Sequence, residues 1–315
     1  MRAIFFGTSE FAVPSLEQLA SRHPVVMCVT QPDRPQGRGL MREPSPVKRA
    51  AIQLGLPLAQ PQRLEAGAFT ALHPEVGVVI AYGKLITADL LRVPAHGMVG
   101  VHPSLLPAYR GAAPIAHALL NGETRTGVTV FRLNEALDAG PIFSQRLVDI
   151  APDEDAEALG HRLARIGAEQ LVEAVDALES GRAAPAPQDD ARASFAPKLS
   201  KSQGRIDWRQ PAVGIARLVR ATIPWPGAST EWQGTVLKIW QASASDAAPR
   251  GSKARPGTVV QVDAKAISVA AGDGVVVIHE LQPAGRRRMR VSEFLAGHPM
   301  REGERFGTGD KGQET

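Results

Sequence analysis

Residues 98–115 read MVGVHPSLLPAYRGAAPI, so His102 directly follows a short apolar run and is followed by Pro103 and Pro107. An imidazole titrates nearest neutrality, and at the end of a strand it can take or give a proton. A second candidate lies in NEALDAGPIF, residues 134–143, where Asp138 precedes Ala139-Gly140-Pro141 behind the run GVTVF. A histidine and a carboxylate brought together from adjacent strand ends make a general acid/base pair. The carboxylate orients the imidazole and stabilises its protonated form. A packed strand-end histidine and a turn aspartate also occur as purely structural features, and the pattern alone leaves both readings open. The prolines around Ser104-Leu105-Leu106 force an extended path whose backbone groups no ladder satisfies, and such groups suit a planar heterocycle.

Other stretches carry weaker signals. FFGTSEFA, residues 5–12, is a strand running through Gly7 into a helix, the place where α/β folds bind ligands. It lacks the GxGxxG spacing, which disfavours a nicotinamide enzyme. The long loop QPDRPQGRGLMREPSPVK, residues 31–48, sets Arg38 between Gly37 and Gly39, a cation on a flexible arm that can reach phosphates. LQPAGRRRMR, residues 281–290, places Arg286, Arg287 and Arg288 in a row, and Lys198, Lys201 and Arg205 form a second basic group. No GxSxG, HExxH or CxxC occurs and the histidines show no ligand spacing, so no metal is assigned. Cys28, in VVMCVT, is the only cysteine and reads as an inert core thiol.

The elements that must position these residues follow from periodicity. Short β-branched runs at 3–6, 25–30, 76–81, 98–101 and 127–131 read as buried strands. Helical patterns lie between them, one behind the N-cap candidate Ser9, one opening with Pro46 and one running from Pro114 to Gly122. Leu159, Leu163, Ile166, Leu171, Val175 and Leu178 recur at helical spacing and predict a long amphipathic helix. The fold class is α/β, a Rossmann-like mostly parallel sheet with helices on both faces. Four β-type runs in the C-terminal part add a smaller β-barrel. The expected domains are residues 1–181, a linker over 182–203 rich in Pro, Ala and charge, and residues 204–310.

The net charge of +4 is unevenly shared. Residues 191–315 hold 19 Lys and Arg against 11 Asp and Glu, while residues 1–190 hold 17 against 21. The basic C-terminal part fits a polyanion such as nucleic acid. No run approaches the ~18 apolar residues needed to span a bilayer, and a cytoplasmic protein with no membrane partner is expected.

Taken together, TQPDRPQGRG…SPVK, VVIAYGKLI, VHPSLLPAYRGAAPI, TGVTVFRLNEALDAGPI, KLSKSQGRIDW and LQPAGRRRM make the chain resemble the methionyl-tRNA formyltransferase family from about residue 3 to about residue 297. The resemblance implies an OB-like C-terminal barrel that binds the tRNA acceptor arm. It implies 10-formyltetrahydrofolate as co-substrate and methionyl-initiator tRNA as partner, with the protein acting as a monomer. His102 and Asp138 then match the family's catalytic pair, and Ser104, Leu105, Leu106 and Pro107 line the folate site. Arg38 contacts the acceptor end of the tRNA, with Lys198, Arg286, Arg287 and Arg288 as further tRNA contacts. SLLP and LDAG alone would also fit an amino sugar nucleotide formyltransferase or a formyl-donor hydrolase.

One position departs from the family pattern. The family has asparagine two residues before the histidine, donating its amide to the formyl oxygen, and here that residue is Gly100. Losing one oxyanion donor typically costs ~10²- to 10³-fold in rate. A water in the vacated place, Asn134 reaching in, or a weakly active tRNA-binding variant are the three accounts. Gly100→Asn is expected to raise turnover.

Overall fold

A computed structural model describes residues 1–36, 41–245 and 254–307, without the side chains of 34–36 and 41–42. From the N-terminus the elements are β1 (Ala3–Gly7), α1 (Val13–Arg22), β2 (Val25–Val29), the hairpin β3 (Arg34–Gln36) and β4 (Met41–Glu43), α2 (Pro46–Gln53), β5 (Leu58–Ala59) and α3 (Ala66–Thr70). Then come β6 (Val76–Ile80), α4 (Ala88–Leu91), β7 (Met98–His102), α5 (Pro114–Asn121), β8 (Arg125–Arg132), β9 (Ile142–Asp149) and α6 (Ala156–Glu179). Ser45 caps α2 by accepting from the Lys48 amide at 3.0 Å, with Pro46 in the first turn.

Seven strands form one sheet in the order β5-β2-β1-β6-β7-β8-β9. The first five are parallel, while β8 runs antiparallel to β7 and to β9. Chain order reverses between β1 and β6, which opens a crevice beyond their carboxyl ends. Core packing there is aromatic: Phe6 meets Phe69 and Tyr82 edge-on, with centroids 5.6 and 5.7 Å apart. Each such pair adds about 0.5–1.5 kcal/mol beyond burial.

The antiparallel turn of β8 corrects one expectation. Asp138 does not leave the sheet at the same edge as His102, because Arg132 at the end of β8 lies opposite Val99, near the start of β7. The connection 133–141 must carry Asp138 back along β7 to meet the histidine.

Alternation along β7 puts Val99 and Val101 on one face and Gly100 and His102 on the other. Helix α6 covers the valine face, and it approaches closely because Gly167 has no side chain. A Cβ there would lie 2.5 Å from Val101 Cγ1. Of the expected apolar stripe on α6, Ile166 is only half-buried and the other five are buried. The strand that carries His102 is thus braced by α6 on the face opposite the histidine.

The chain divides into two compact units. The first comprises 1–114, 124–150 and 158–197, and the second 115–123, 151–157 and 198–315. The expected linker over 182–203 is extended, but much of it is part of the first unit. Ala186 exchanges backbone hydrogen bonds with Ile142, the Ala196 amide donates to the Arg110 carbonyl, and the Ala113 amide donates to the Ala196 carbonyl. Its composition reads as a linker or an extended connection, and these tertiary bonds hold part of its backbone.

In the second unit, α7 (Ala212–Ala221) precedes β10 (Ala228–Trp232), β11 (Thr235–Ser245), β12 (Val259–Val262), β13 (Ile267–Ala270), β14 (Val275–Pro283), β15 (Met289–Arg290) and α8 (Val291–Gly297). The antiparallel order is β10-β11-β14-β13-β12, with β15 on β14. Residues 304–307 close the ring: the Val259 amide donates to the Glu304 carbonyl, and Glu231 exchanges both bonds with Gly307. Trp208, Ile239, Ile278, Phe294 and Phe306 fill its core.

Candidate active site

His102 is buried at the carboxyl end of β7. Its Nε2 lies 2.8 Å from the Tyr109 carbonyl oxygen. A carbonyl only accepts, so Nε2 carries the proton and, in the neutral ring, Nδ1 carries the lone pair. Nδ1 lies 3.7 Å from Asp138 Oδ2, whose side chain keeps 20% of its surface exposed. Burial lowers the His102 pKa below the ordinary 6.5, outweighing the attraction of Asp138 and the bond to Tyr109, both of which pull it up. The resting imidazole is therefore a neutral base in a fixed tautomer, beside a carboxylate that favours its protonated form.

Left-handed backbone builds this geometry. Tyr109 has φ 61°, Asp138 φ 49° and Ala81 φ 44°. Continuing the β6–β7 register by two residues sets Ala81 beside His102. Aspartate tolerates this region, whereas tyrosine and alanine pay about 1–2 kcal/mol each. At Tyr109 the twist turns the carbonyl onto His102. Asp138 Oδ2 in turn accepts from the Gly111 amide at 2.8 Å.

The crevice between β1 and β6 holds a cavity of about 300 Å³ lined by Thr8, Ser9, Gln31, Asp33, Ala81 and Gly83, among others. FFGTSEFA therefore contributes Thr8 and Ser9 to the cavity wall. The Thr8 hydroxyl also donates to the Tyr82 carbonyl at 2.8 Å.

The SLLP loop differs from the expectation of open backbone groups. The Thr129 hydroxyl donates to the Ser104 carbonyl at 2.7 Å and accepts from the Leu106 amide at 3.1 Å. Gln145 Nε2 donates to the Leu106 carbonyl at 2.8 Å, and the Ser194 amide to the Pro107 carbonyl at 3.2 Å. Ser104 Oγ is spent on the Ala108 carbonyl. Partners across the sheet, which sequence spacing does not reveal, close these groups internally. What the loop can offer a folate is apolar surface, from the half-buried Leu105 and Pro107.

Position 100 is not vacant. A Cβ on Gly100 would lie 2.8 Å from Leu133 Cδ1 and 2.8 Å from Phe131 Cε1, Phe131 being its direct cross-strand neighbour on β8. These side chains crowd the Cβ position, which counts against a water there, one of the three accounts. Asn134 does not reach in, since it is exposed and its Oδ1 accepts from the Ala136 amide. Leu133 packs on the cluster containing Met98 and Tyr82, and the Tyr82 hydroxyl there is buried without a partner. Cys28 is buried, and burial pushes its thiol up to about 12, so it supplies no nucleophile.

The basic residues differ from one another. Arg287 pairs with Glu293, and Arg288 pairs with Glu280 while lying 5.3 Å from the Trp240 ring. The Arg286 guanidinium and the Lys198 ammonium are exposed and make no hydrogen bond or ion pair among the described residues. Arg38 lies outside the described residues. Tyr109, Arg110, Gly111 and Gln188 escape sequence reasoning because their part in the site arises from long-range contacts; only the Arg-Gly pair after SLLP hints at it.

A Rossmann-like sheet with a His–carboxylate pair at a strand end can manage proton transfer in a group-transfer reaction. Residues 1–175 match the family model described as formyl transferase, and residues 198–299 match its C-terminal domain. Methionyl-tRNA formyltransferase of Roseiflexus castenholzii is 47% identical over 98% of this chain and 99% of its own. That of Thermus thermophilus is 46% identical over 98% and 99%. The chain belongs to the methionyl-tRNA formyltransferase family. The crystal structure of an N-formyltransferase from Helicobacter canadensis with folinic acid and dTDP-3-aminofucose superposes with a TM-score of 0.68 at 14% identity, covering 90% of this chain and all of that one, and shares the fold. Among the described residues, no helix is long and apolar enough to cross a membrane.

Proposed function

We propose that this protein transfers the formyl group of 10-formyltetrahydrofolate to the α-amino group of methionyl-initiator tRNA, acting as a monomer in the cytoplasm. The near full-length identity to methionyl-tRNA formyltransferases carries this reading. The donor supplies an activated formyl carbon, and the chain's residues manage the proton and hold the reactants. His102 takes the amine proton at Nδ1, and the imidazolium so formed faces Asp138. At 3.7 Å that attraction amounts to about 4 kcal/mol at an effective dielectric near 20. Leu105 and Pro107 give the folate apolar contact beside Ser104 and Leu106, and Arg38 and Lys198 meet the tRNA. Gly100 leaves the formyl oxygen without its side-chain amide, so turnover is low for the family.

The test is incubation with formyl donor and charged initiator tRNA, reading formylmethionyl-tRNA. Product on an amino sugar nucleotide and none on tRNA would overturn the reading, as would tRNA binding without any transfer.

For the basic turn, Arg286→Ala is expected to weaken tRNA binding and reduce the slope of log affinity against log salt by about 1. Adding Arg287→Ala and Arg288→Ala is expected to remove less than one further unit, because each already faces a carboxylate. Filter binding across salt concentrations measures both, and an unchanged slope would make these arginines ordinary surface charge.

A further inference from the structure

The extended segment 186–196 touches both members of the His102–Asp138 pair through their supports. Gln188 Nε2 donates to the Asp138 carbonyl and to the Gly140 carbonyl, each at 2.8 Å. Its Oε1 accepts from Arg110 Nε at 3.2 Å and Nη2 at 2.7 Å. Arg110 is buried, and it also pairs with Asp190 at 2.6 Å. The orientation of this amide is unambiguous: carbonyls only accept and a guanidinium only donates, so each end of Gln188 has one possible neighbour. Six residues on, Ser194 Oγ accepts from the Tyr109 amide at 2.9 Å, fixing the residue whose carbonyl holds His102.

The connection that carries Asp138 needs such a hold. Residues 134–137 are exposed, and Asp138 itself sits in the left-handed region. Among the described residues, Asp138–Gly140 is held by the Gly111 amide on Oδ2 and by the clamp from Gln188, and next to it the Pro141 carbonyl accepts from the Arg132 amide. A carboxylate 3.7 Å from its imidazole loses about a fifth of its attraction for each ångström added, so the clamp bears on how well the pair works.

We infer that Gln188, locked by Arg110, is a positioning residue for formyl transfer, acting by holding the Asp138 turn against His102. This rests on the reading of Asp138 as the partner of His102 in transfer.

Gln188→Glu separates the two ends of the clamp. A carboxylate still accepts from Arg110, so the segment stays anchored, but it cannot donate and it repels the carbonyls of Asp138 and Gly140. In the full-length protein, kcat is expected to fall about 10-fold, with KM for tRNA and for the formyl donor within about twofold and the melting temperature nearly unchanged. Built into Asp138→Asn, the same substitution is expected to cost nothing further, because its route of action is already removed. An equal loss in both backgrounds would overturn the inference, as would an unchanged kcat in Gln188→Glu. If Asp138→Asn itself keeps full activity, the reading of Asp138 fails instead, and the two failures are distinct. Gln188→Ala, checked by circular dichroism, runs the same cycle should Gln188→Glu not fold.

Discussion

Asp138→Asn is expected to lower the turnover of formyl transfer by about 10²- to 10³-fold and to move the acid limb of kcat/KM to lower pH. The substitution is close to isosteric, and an amide oxygen can still accept from the Gly111 N–H, so the connection keeps its anchor. What disappears is the charge facing Nδ1. His102 is already held below its ordinary value by burial, and Asp138 pulls it upward. Without that pull the neutral base persists to lower pH, but the imidazolium formed during transfer loses its counter-charge. A pH–rate profile reads both effects, and a limb that stays in place would show that the carboxylate does not act on the imidazole. Stability follows the same group. In the unfolded chain His102 protonates at its ordinary 6.5, whereas in the fold it resists protonation. Its contribution is fully present above pH 6.5 and is lost as pH falls toward the folded value, and Asp138→Asn extends that loss further into acid. Urea midpoints measured from pH 7.5 to 5 check it.

The second large effect concerns Gly100. An asparagine alone is expected to gain little, because its Cβ collides with Leu133 and Phe131 at 2.8 Å. Both are apolar, so the amide would also be forced against side chains that cannot pair with it. The phenyl ring across from a strand glycine covers bare backbone and steadies that part of the sheet. Phe131→Val and Leu133→Ala open the space, and with them Gly100→Asn is expected to raise single-turnover rates by about 10²- to 10³-fold over the parent. Some stability is lost with the trimmed side chains, offset in part by the volume of the new amide. A folded triple variant no faster than the parent would show that no oxyanion donor is missing at this position.

His102 and Asp138 were legible as candidates because each follows a strand-like run at a turn, whereas the missing amide at Gly100 rests on the family resemblance and not on spacing. Four of the five parallel strands were plain, since buried strands read as β-branched runs such as VGVVI, while the two-residue β5 carries no such run. Strand β9 was not anticipated: FSQRLVD lies at the sheet edge, where half its residues meet solvent and the apolar signal fades. The direction of β8 was also hidden, because alternation marks a strand without giving its sense. The closed backbone of the SLLP loop depends on Thr129 on the adjacent strand and Gln145 one strand further, and local proline logic could not supply them. The stretch 182–203 read as a linker or an extended connection, and the partners that its backbone bonds to lay beyond what composition reports.

The interleaved make-up of the two units bears on how this enzyme can be cut and rejoined. Residues 115–123 and 151–157 sit in the first half of the chain yet belong to the second unit, where Arg220 donates to the Glu154 carbonyl at 2.9 Å. A chimera that exchanges only residues 198–315 inherits two foreign inserts within its own barrel unit. A graft that keeps the second unit whole must move three separate stretches of gene together.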